Sequence, residues 1–161
     1  MGRFVNPDNT TFKAALNTKI YVDKTELIEF TNSLIGTTEN FICNSRPRRF
    51  GKSYTANMLS AYYSKGCDSR ELFSGLAVEK SSAYFEYLNK FDVIHFDLQW
   101  FFSKEHIDET VDLITNTIVD ELKKIYEDVL SADVRTIPDA LSQINAATGN
   151  QFVIIIDEWD M

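Results

Sequence analysis

The residues best suited to chemistry lie in Arg46-Pro47-Arg48-Arg49-Phe50-Gly51-Lys52-Ser53, whose last three residues match the end of a P-loop, GxxxxGK[ST]. A helix starting here presents unpaired backbone N–H groups and the positive end of its dipole, which attract phosphate. Lys52 is expected to add charge toward the terminal phosphates, and the Ser53 hydroxyl to bind Mg²⁺. The stretch therefore predicts nucleotide contacts from Arg49, Phe50, Gly51, Lys52, Ser53 and Tyr54.

The motif departs from its usual form at its first position, where Arg46 replaces glycine. Glycine serves in such loops because a tight turn can need a backbone angle that a side chain resists. The alternative interpretation is a solvated basic turn that caps a helix.

A second candidate feature is the run Phe152-Val153-Ile154-Ile155-Ile156 followed by Asp157 and Glu158. Five large apolar residues predict a strand buried on both faces. Two carboxylates must then emerge at its carboxyl end, where open parallel sheets hold their ligands. In the Walker B interpretation Asp157 holds the magnesium ion, and Glu158 acts in catalysis with Lys52 by orienting the attacking water. An apolar strand that ends in two acids is also common without any such role.

These two features need a sheet to bring them together. Phe41-Ile42-Cys43 has the form of a buried strand before the P-loop, with Cys43 as a small core residue. The elements between Lys52 and Asp157 follow the order helix, strand, helix, helix, so a right-handed parallel connection can return the second strand beside the first. The expected fold is α/β: a P-loop NTPase with a parallel sheet flanked by helices.

Other elements follow from periodicity and from start and stop signals. The helix after the P-loop is expected to run to Lys65, with Gly66 as its end, and a short helix is expected over 81–90. Ile20-Tyr21-Val22 predicts a brief strand, and Asp23 with Glu26 has the form of a capping box for a helix that Gly36 ends. Val93–Leu98 predicts a strand on which His95 and Asp97 share one face. We interpret this face as a solvent-exposed flank, with a catalytic pair as the alternative. Apolar residues recur at helical spacing from Ser103 to Leu130, and a further helix is expected from Thr136 to Gly149.

The composition sets limits on function. The chain has 161 residues, 44% of them hydrophobic, and a formal charge of −8. Such a length and composition favour a folded domain, and the acidic balance argues against broad nucleic-acid binding. Arg46, Arg48, Arg49 and Lys52 form a local positive cluster that suits a small polyanion. No signal sequence or long apolar span is evident, so we expect a cytoplasmic protein without membrane contact.

The chain resembles the AAA-ATPase-like family of bacterial ATPases, whose members are often joined to a C-terminal nuclease-like domain of the PD-(D/E)XK type. The resemblance is carried by Tyr21-Val22-Asp23-Lys24-Thr25, the arginine-rich P-loop, Leu72-Phe73-Ser74-Gly75-Leu76 and Asp157-Glu158-Trp159-Asp160. It implies ATP and Mg²⁺ as ligands, with Lys52 and Ser53 at phosphate and metal and with Asp157 and Glu158 at metal and water. Arginine at the loop entry is the usual form there.

The resemblance also implies that the chain is a partial ATPase domain, truncated after the Walker B strand, with a lead-in segment over 1–36 and a nucleotide-binding core over 37–161. The expected partners are the nucleotide, a second copy through an unpaired sheet edge, and nucleic acid through a missing C-terminal domain. Two alternatives remain open. One is a non-hydrolysing, nucleotide-gated regulatory module, and the other is a nucleic-acid-binding fragment that uses the cluster from Arg46 to Lys52.

Overall fold

The computed structural model describes residues 2–45, 50–102 and 107–158, without the side chains of residues 107 and 108. The predictions for Arg46, Arg48 and Arg49 therefore lie outside the described residues. In chain order the elements are α1 (Thr10–Leu16), α2 (Glu26–Leu34), α3 (Lys52–Tyr63), α4 (Arg70–Phe73), a 3₁₀ turn (Ala77–Lys80), α5 (Tyr84–Tyr87), β1 (Asp92–Asp97), α6 (Leu98–Phe102), α7 (Ile107–Ile125), α8 (Ile137–Thr148) and β2 (Phe152–Asp157).

The sheet pairs β1 with β2 in parallel, so that Asp92 lies opposite Phe152 and Asp97 opposite Asp157. The other edge of β1 is flanked by the N-terminal segment through an antiparallel bridge between Val5 and Ile94. The His95 N–H donates to the Phe4 carbonyl at 2.8 Å. Both β strands therefore end at the same edge of the sheet, beside the first residues of the chain.

Apolar layers cover both faces of β1, as expected for an α/β fold. Because alternate side chains of a strand point to opposite faces, Ile94 and Phe96 join one cluster and Val93 joins another. The first cluster contains residues of α7 and α8, such as Leu122 and Ile144. The second contains residues of α1, α2, α3 and α4, among them Phe12, Ile28, Tyr62 and Phe73. The structure is thus a mixed helix and strand fold around a small parallel sheet.

The helices with clear sequence signals occur as predicted. Within the described residues the amphipathic stripe forms α7, which ends at Ile125, five residues before the predicted end. Helix α8 has Thr136 as N-cap, whose side chain accepts a hydrogen bond from the Asp139 N–H, and Gly149 follows it with φ of 72°. Helix α2 ends before Gly36, whose φ is 77°. Local signals were sufficient in these cases because caps act within one helical turn.

Two predicted strands are wrong. Residues 41–45 have no regular secondary structure, and Phe41 is 95% exposed. Cys43 is also exposed and is not a core residue. Residues 20–22 likewise form no strand, and Ile20 and Val22 are exposed. A strand needs a neighbour for its backbone hydrogen bonds, and among the described residues β2 pairs with β1 and not with residues 41–43.

The two-sided burial predicted for β2 is also wrong. Val153 and Ile155 pack against the α3 side, but Ile154 and Ile156 are 49% and 46% exposed on the other face. Residues of α7 and α8 pack on Ile94 and Phe96 of β1, but the same apolar cluster does not include Ile154 and Ile156 of β2. An apolar run predicts a strand but does not determine which faces its neighbours cover.

Several helix boundaries also differ from those predicted. Helix α3 ends at Tyr63 instead of Lys65, because Ser64 turns into a parallel bridge with Phe91. Thr25, not Asp23, is the N-cap of α2. Only Tyr84–Tyr87 is helical in the region predicted as a helix over 81–90. Among the described residues, no helix has both the length and the apolar character needed to cross a membrane. The division at residue 36 stays a prediction.

Candidate functional site

The start of α3 is set by Gly51, which adopts a left-handed conformation with φ of 80°. The Lys24 ammonium donates to the Phe50 carbonyl at 3.2 Å. A Cβ atom on Gly51 would lie 3.1 Å from that ammonium nitrogen. Glycine is therefore favoured by its backbone angle, while the Lys24 ammonium, at the end of a flexible side chain, could give way to a Cβ atom by a small shift. Gly51 has no side chain with which to cap α3, and the start of a helix presents backbone N–H groups that can bind acceptors.

Two cavities lie on different sides of the first turns of α3. The larger, with a volume of about 520 Å³, is here named the acidic cleft. Its polar lining comprises Arg3, Asp8, Thr11, Ser53, Asn57, Ser60, His95, Asp97 and Asp157. The smaller, with a volume of about 270 Å³, is here named the aromatic pocket. Its lining includes Phe12, Ile20, Tyr21, Val22, Lys24, Gly51, Tyr54 and Met58.

The acidic cleft brings together Ser53 and Asp157, which are widely separated in the sequence. Ser53 lies in the first turn of α3, and Asp157 is the last residue of β2. The predicted meeting of the P-loop helix and the acidic strand end at one edge of the sheet therefore occurs. It is achieved by pairing β2 with β1, not with the segment before the P-loop.

Asp97 stands beside Asp157 in the cleft, because the two residues are register partners on neighbouring strands. Each carboxylate is held by a local backbone hydrogen bond to its Oδ1 atom. The Gln99 N–H donates to Asp97 at 2.7 Å, and the Glu158 N–H donates to Asp157 at 2.9 Å. Within the described parts of the chain, neither Oδ2 atom accepts a hydrogen bond. Two carboxylate oxygens are thus available to a ligand at one place.

His95 lies two residues before Asp97 on the same face and also lines the cleft. Burial lowers the pKa of the His95 imidazole below its usual value, although the charges of Asp157 and Asp97 act in the opposite direction. At neutral pH the imidazole is therefore uncharged and does not neutralise the two carboxylates. The prediction that His95 and Asp97 form a solvent-exposed flank is wrong, since both are half-buried in a cleft that the N-terminal segment and α3 also line.

The N-terminal segment forms the opposite wall. The Glu121 carboxylate accepts hydrogen bonds from the backbone N–H groups of Phe4 and Val5, both at 2.9 Å. The Arg3 guanidinium lies 4.2 Å from the centroid of the Trp100 ring, a cation–π contact. Arg3 is the only lysine or arginine in the lining of the cleft as described. The cleft therefore carries an excess of negative charge.

The aromatic pocket lies on another face of α3, lined by Gly51, Tyr54 and Met58. Tyr21 packs edge-on against Phe12 at a centroid distance of 6.4 Å and also lines this pocket. Burial raises the pKa of Tyr21 to about 12, so its hydroxyl stays protonated and can donate a hydrogen bond. The pocket combines apolar walls with a few polar groups, as sites for small ring systems do.

The remaining predicted site residues are placed less closely together. Lys52 begins α3, and Phe50 precedes it with an exposed side chain, but neither lines a cavity described above. Glu158 follows β2 with φ of 53°, a left-handed conformation that is uncommon for a residue with a side chain. It does not line the acidic cleft. Arg49 lies outside the described residues.

The sequence interpretation set His95 and Asp97 aside as a solvent-exposed flank, and it did not identify Asn57 or Arg3 as lining residues. Asp97 carried the same signal as Asp157, an acid at the carboxyl end of an apolar strand. Asn57 follows Ser53 by four positions and could have been found from helical spacing. Arg3 carried no local signal, because only the folding of the N-terminal segment along β1 brings it to the cleft.

The donor set of the cleft fits Mg²⁺. This ion takes oxygen ligands, usually one or two carboxylates together with substrate phosphates and water. Asp157 and the Ser53 hydroxyl supply such oxygens in one cavity. In the part of the chain that the structure describes, no three His, Cys, Asp or Glu side chains are grouped to hold a metal. The residues therefore suit a cation that shares its ligands with a bound anion, not an ion held by protein alone.

The fold and the site define a mixed helix and strand protein whose glycine-led helix start shares a cleft with carboxylates at one edge of a sheet. A family model described as "Predicted AAA-ATPase" matches residues 11–161, and the chain belongs to this AAA-ATPase_like family. The family points to an AAA-type ATPase and to nucleotide use. Neither the curated proteins nor the solved structures contain a match to the chain.

Proposed function

We propose that the chain is the ATP-binding module of a P-loop, AAA-like ATPase, which binds Mg-ATP and, in the intact protein, hydrolyses it. The observation that carries the proposal is that Ser53 and Asp157 line one cleft beside the start of α3, the helix that follows Gly51 and begins at Lys52. Family membership supports ATP as the nucleotide. The cleft volume of about 520 Å³ lies within the usual size of ligand pockets.

In this proposal the first turn of α3 holds the phosphates through backbone N–H groups and through the Lys52 ammonium. The Ser53 hydroxyl and the Asp157 carboxylate hold Mg²⁺, which would neutralise phosphate charge in the acidic cleft. The base would lie in the aromatic pocket, which begins at Gly51 and Tyr54 on the other face of the same turn. The nucleotide would thus cross the helix start from one cavity to the other.

Hydrolysis requires Glu158 to reach the attacking water. A second candidate function is a nucleotide-gated module that binds without hydrolysis, and one observation favours it: Glu158 does not line the acidic cleft. For Glu158 to act, the backbone after β2 has to turn its carboxylate toward the terminal phosphate.

Binding and turnover of ATP test both candidates. A fluorescent ATP analogue with Mg²⁺ should bind the unaltered chain, and Ser53→Ala and Asp157→Asn should each weaken binding by about tenfold or more, since each removes a metal ligand. Asp128→Asn, which makes the same charge change at an exposed site, should bind normally. No binding by the unaltered chain, or equal binding by all four proteins, would overturn the proposal.

The variant Glu158→Gln distinguishes an ATPase from a nucleotide-gated module that binds without hydrolysis. If the intact protein is an ATPase, this change in it should leave binding of the analogue normal and lower phosphate release by about a hundredfold, within the range expected of a general base. Normal binding by the intact protein with no phosphate release, or with release that does not respond to the change, would support the regulatory module.

A further inference from the structure

We propose that Asp97 is a second carboxylate ligand of the divalent cation, so that the cation is held between the ends of β1 and β2 and not by Asp157 alone. The inference rests on the proposed nucleotide site and adds to it a residue that no P-loop or Walker B pattern contains. Asp97 belongs to a different strand, outside both motifs.

The first observation is the register of the sheet. Asp97 and Asp157 are paired residues of neighbouring parallel strands, and such strands lie about 4.8 Å apart. Paired residues on neighbouring strands point to the same face, and both of these line the acidic cleft. Like charges this close repel one another unless a cation lies between them. Asp8 adds a third carboxylate to the lining, against the single guanidinium of Arg3.

The second observation is the way in which each carboxylate is oriented. Both use Oδ1 to accept a nearby backbone N–H, from Gln99 in one case and from Glu158 in the other. These bonds fix the rotation of each carboxylate, while each Oδ2 atom accepts nothing from the described residues. A carboxylate held by one oxygen with the other unused is arranged as a monodentate ligand.

The third observation comes from the helical wall of the cleft. Ser60 is 2% exposed and lines the same cavity, and its Oγ atom has no hydrogen-bond partner among the residues that the structure describes. Buried hydroxyls in folded proteins are almost always paired. With Ser53 and Asn57 it forms a polar stripe at helical spacing, opposite Asp97 and Asp157. A cavity with an unsatisfied buried hydroxyl on one wall and two unused carboxylate oxygens on the other is built to hold hydrated polar ligands.

The cation dependence of nucleotide binding tests the inference. Affinity for a fluorescent ATP analogue is measured in Mg²⁺ and in EDTA, for the unaltered chain, Asp97→Asn and the exposed control Asp128→Asn. The ratio of nucleotide affinity in Mg²⁺ to that in EDTA should be smaller by about tenfold or more in Asp97→Asn than in the unaltered chain. Affinity in EDTA should be unchanged or tighter, because one negative charge is removed. A full Mg²⁺ gain in Asp97→Asn would overturn the inference and leave the nucleotide site standing.

Two further measurements separate the possible failures. Mn²⁺ binding, followed by its electron paramagnetic resonance signal with and without nucleotide, reports the cation directly. Cation binding that Asp97→Asn removes, in a chain that binds no nucleotide, would support Asp97 and overturn the proposed function. No Mn²⁺ binding under either condition would overturn the inference whatever the nucleotide result.

The variant Asp97→Cys tests whether a loss of affinity at residue 97 reflects lost cation ligation or misfolding. A thiolate prefers soft cations, so Cd²⁺ should restore nucleotide affinity in this variant where Mg²⁺ cannot. The unaltered chain, with its own Cys43 and Cys67, serves as the Cd²⁺ control. Direct contact between residue 97 and the cation predicts this change of preference, and a merely structural role does not. Equal behaviour of Cd²⁺ in both proteins would count against ligation.

Discussion

The buried carboxylate of Asp92 connects the start of β1 to three neighbouring segments of the chain. We expect Asp92→Asn to lower the free energy of unfolding strongly. Its side chain is fully buried, yet it begins β1. Oδ2 accepts from the Lys65 ammonium at 2.7 Å and from the Tyr126 hydroxyl at 2.6 Å, and Oδ1 accepts from the Asn6 amide at 2.6 Å. The carboxylate therefore joins the N-terminal segment, the end of α3 and the end of α7.

The magnitude follows from these three donors. An amide has one acceptor oxygen, so in either orientation at least one donor faces an NH₂ group, and a buried polar group without a partner costs about 1–3 kcal/mol. The remaining hydrogen bonds change from charged to neutral acceptors, which costs about 1 kcal/mol more. The Lys65 side chain is 34% exposed and can be hydrated, so its lost ion pair adds little. We expect a total loss of about 3 kcal/mol, or a fall in Tm of about 6–12 °C.

Urea unfolding followed by circular dichroism measures this loss. Asp128→Asn is the matched control, because it removes the same charge from an exposed site and should change the unfolding free energy by less than about 0.5 kcal/mol. A loss below about 1 kcal/mol for Asp92→Asn, or an equal loss for the control, would show that the buried network does not hold these elements together.

Two further predictions concern other carboxylates. Partial burial acts to raise the pKa of Asp23, but the N–H groups of Thr25 and Ala77 lower it overall; Asp23 therefore stabilises the fold above its unfolded pKa of about 3.9 and loses this effect as pH falls through the folded value. In urea unfolding, Asp23→Asn should show a shallower stability loss below about pH 4, and an unchanged slope would contradict this. Glu121→Gln should weaken the hydrogen bonds that the Phe4 and Val5 N–H groups donate to residue 121, by about 1–2 kcal/mol in total. The measurement is hydrogen exchange, in which these two amides should exchange faster. The control Glu127→Gln, at an exposed position, should leave their exchange unchanged.

The candidate site could be predicted from the sequence where its chemistry is local. Ser53 and Asp157 were identified from a glycine-lysine-serine turn and from an apolar run that ends in acids, and both line one cleft. Their shared neighbours could not be predicted in this way. Whether Asp97 faces that cleft or the opposite side depends on register, because a shift of one residue turns every side chain of a strand to the other face.

Elements with strong local signals were determined by the sequence itself. The stripe of α7, the Thr136 and Gly149 caps of α8 and the glycine start of α3 are recorded in adjacent residues. Their energies arise within one or two helical turns, so no distant partner is needed to specify them.

Pairing and burial were decided only by the tertiary structure. Residues 41–43 and β2 have similarly apolar sequences, yet β2 pairs with β1 while Phe41 and Cys43 are exposed. A strand gains its hydrogen bonds and its cover from segments far away in the chain, and the entropy of closing those loops leaves no mark on its own residues. The sequence therefore identified candidate residues such as Ser53 and Asp157, and the folded chain decided which of the candidates share a cleft.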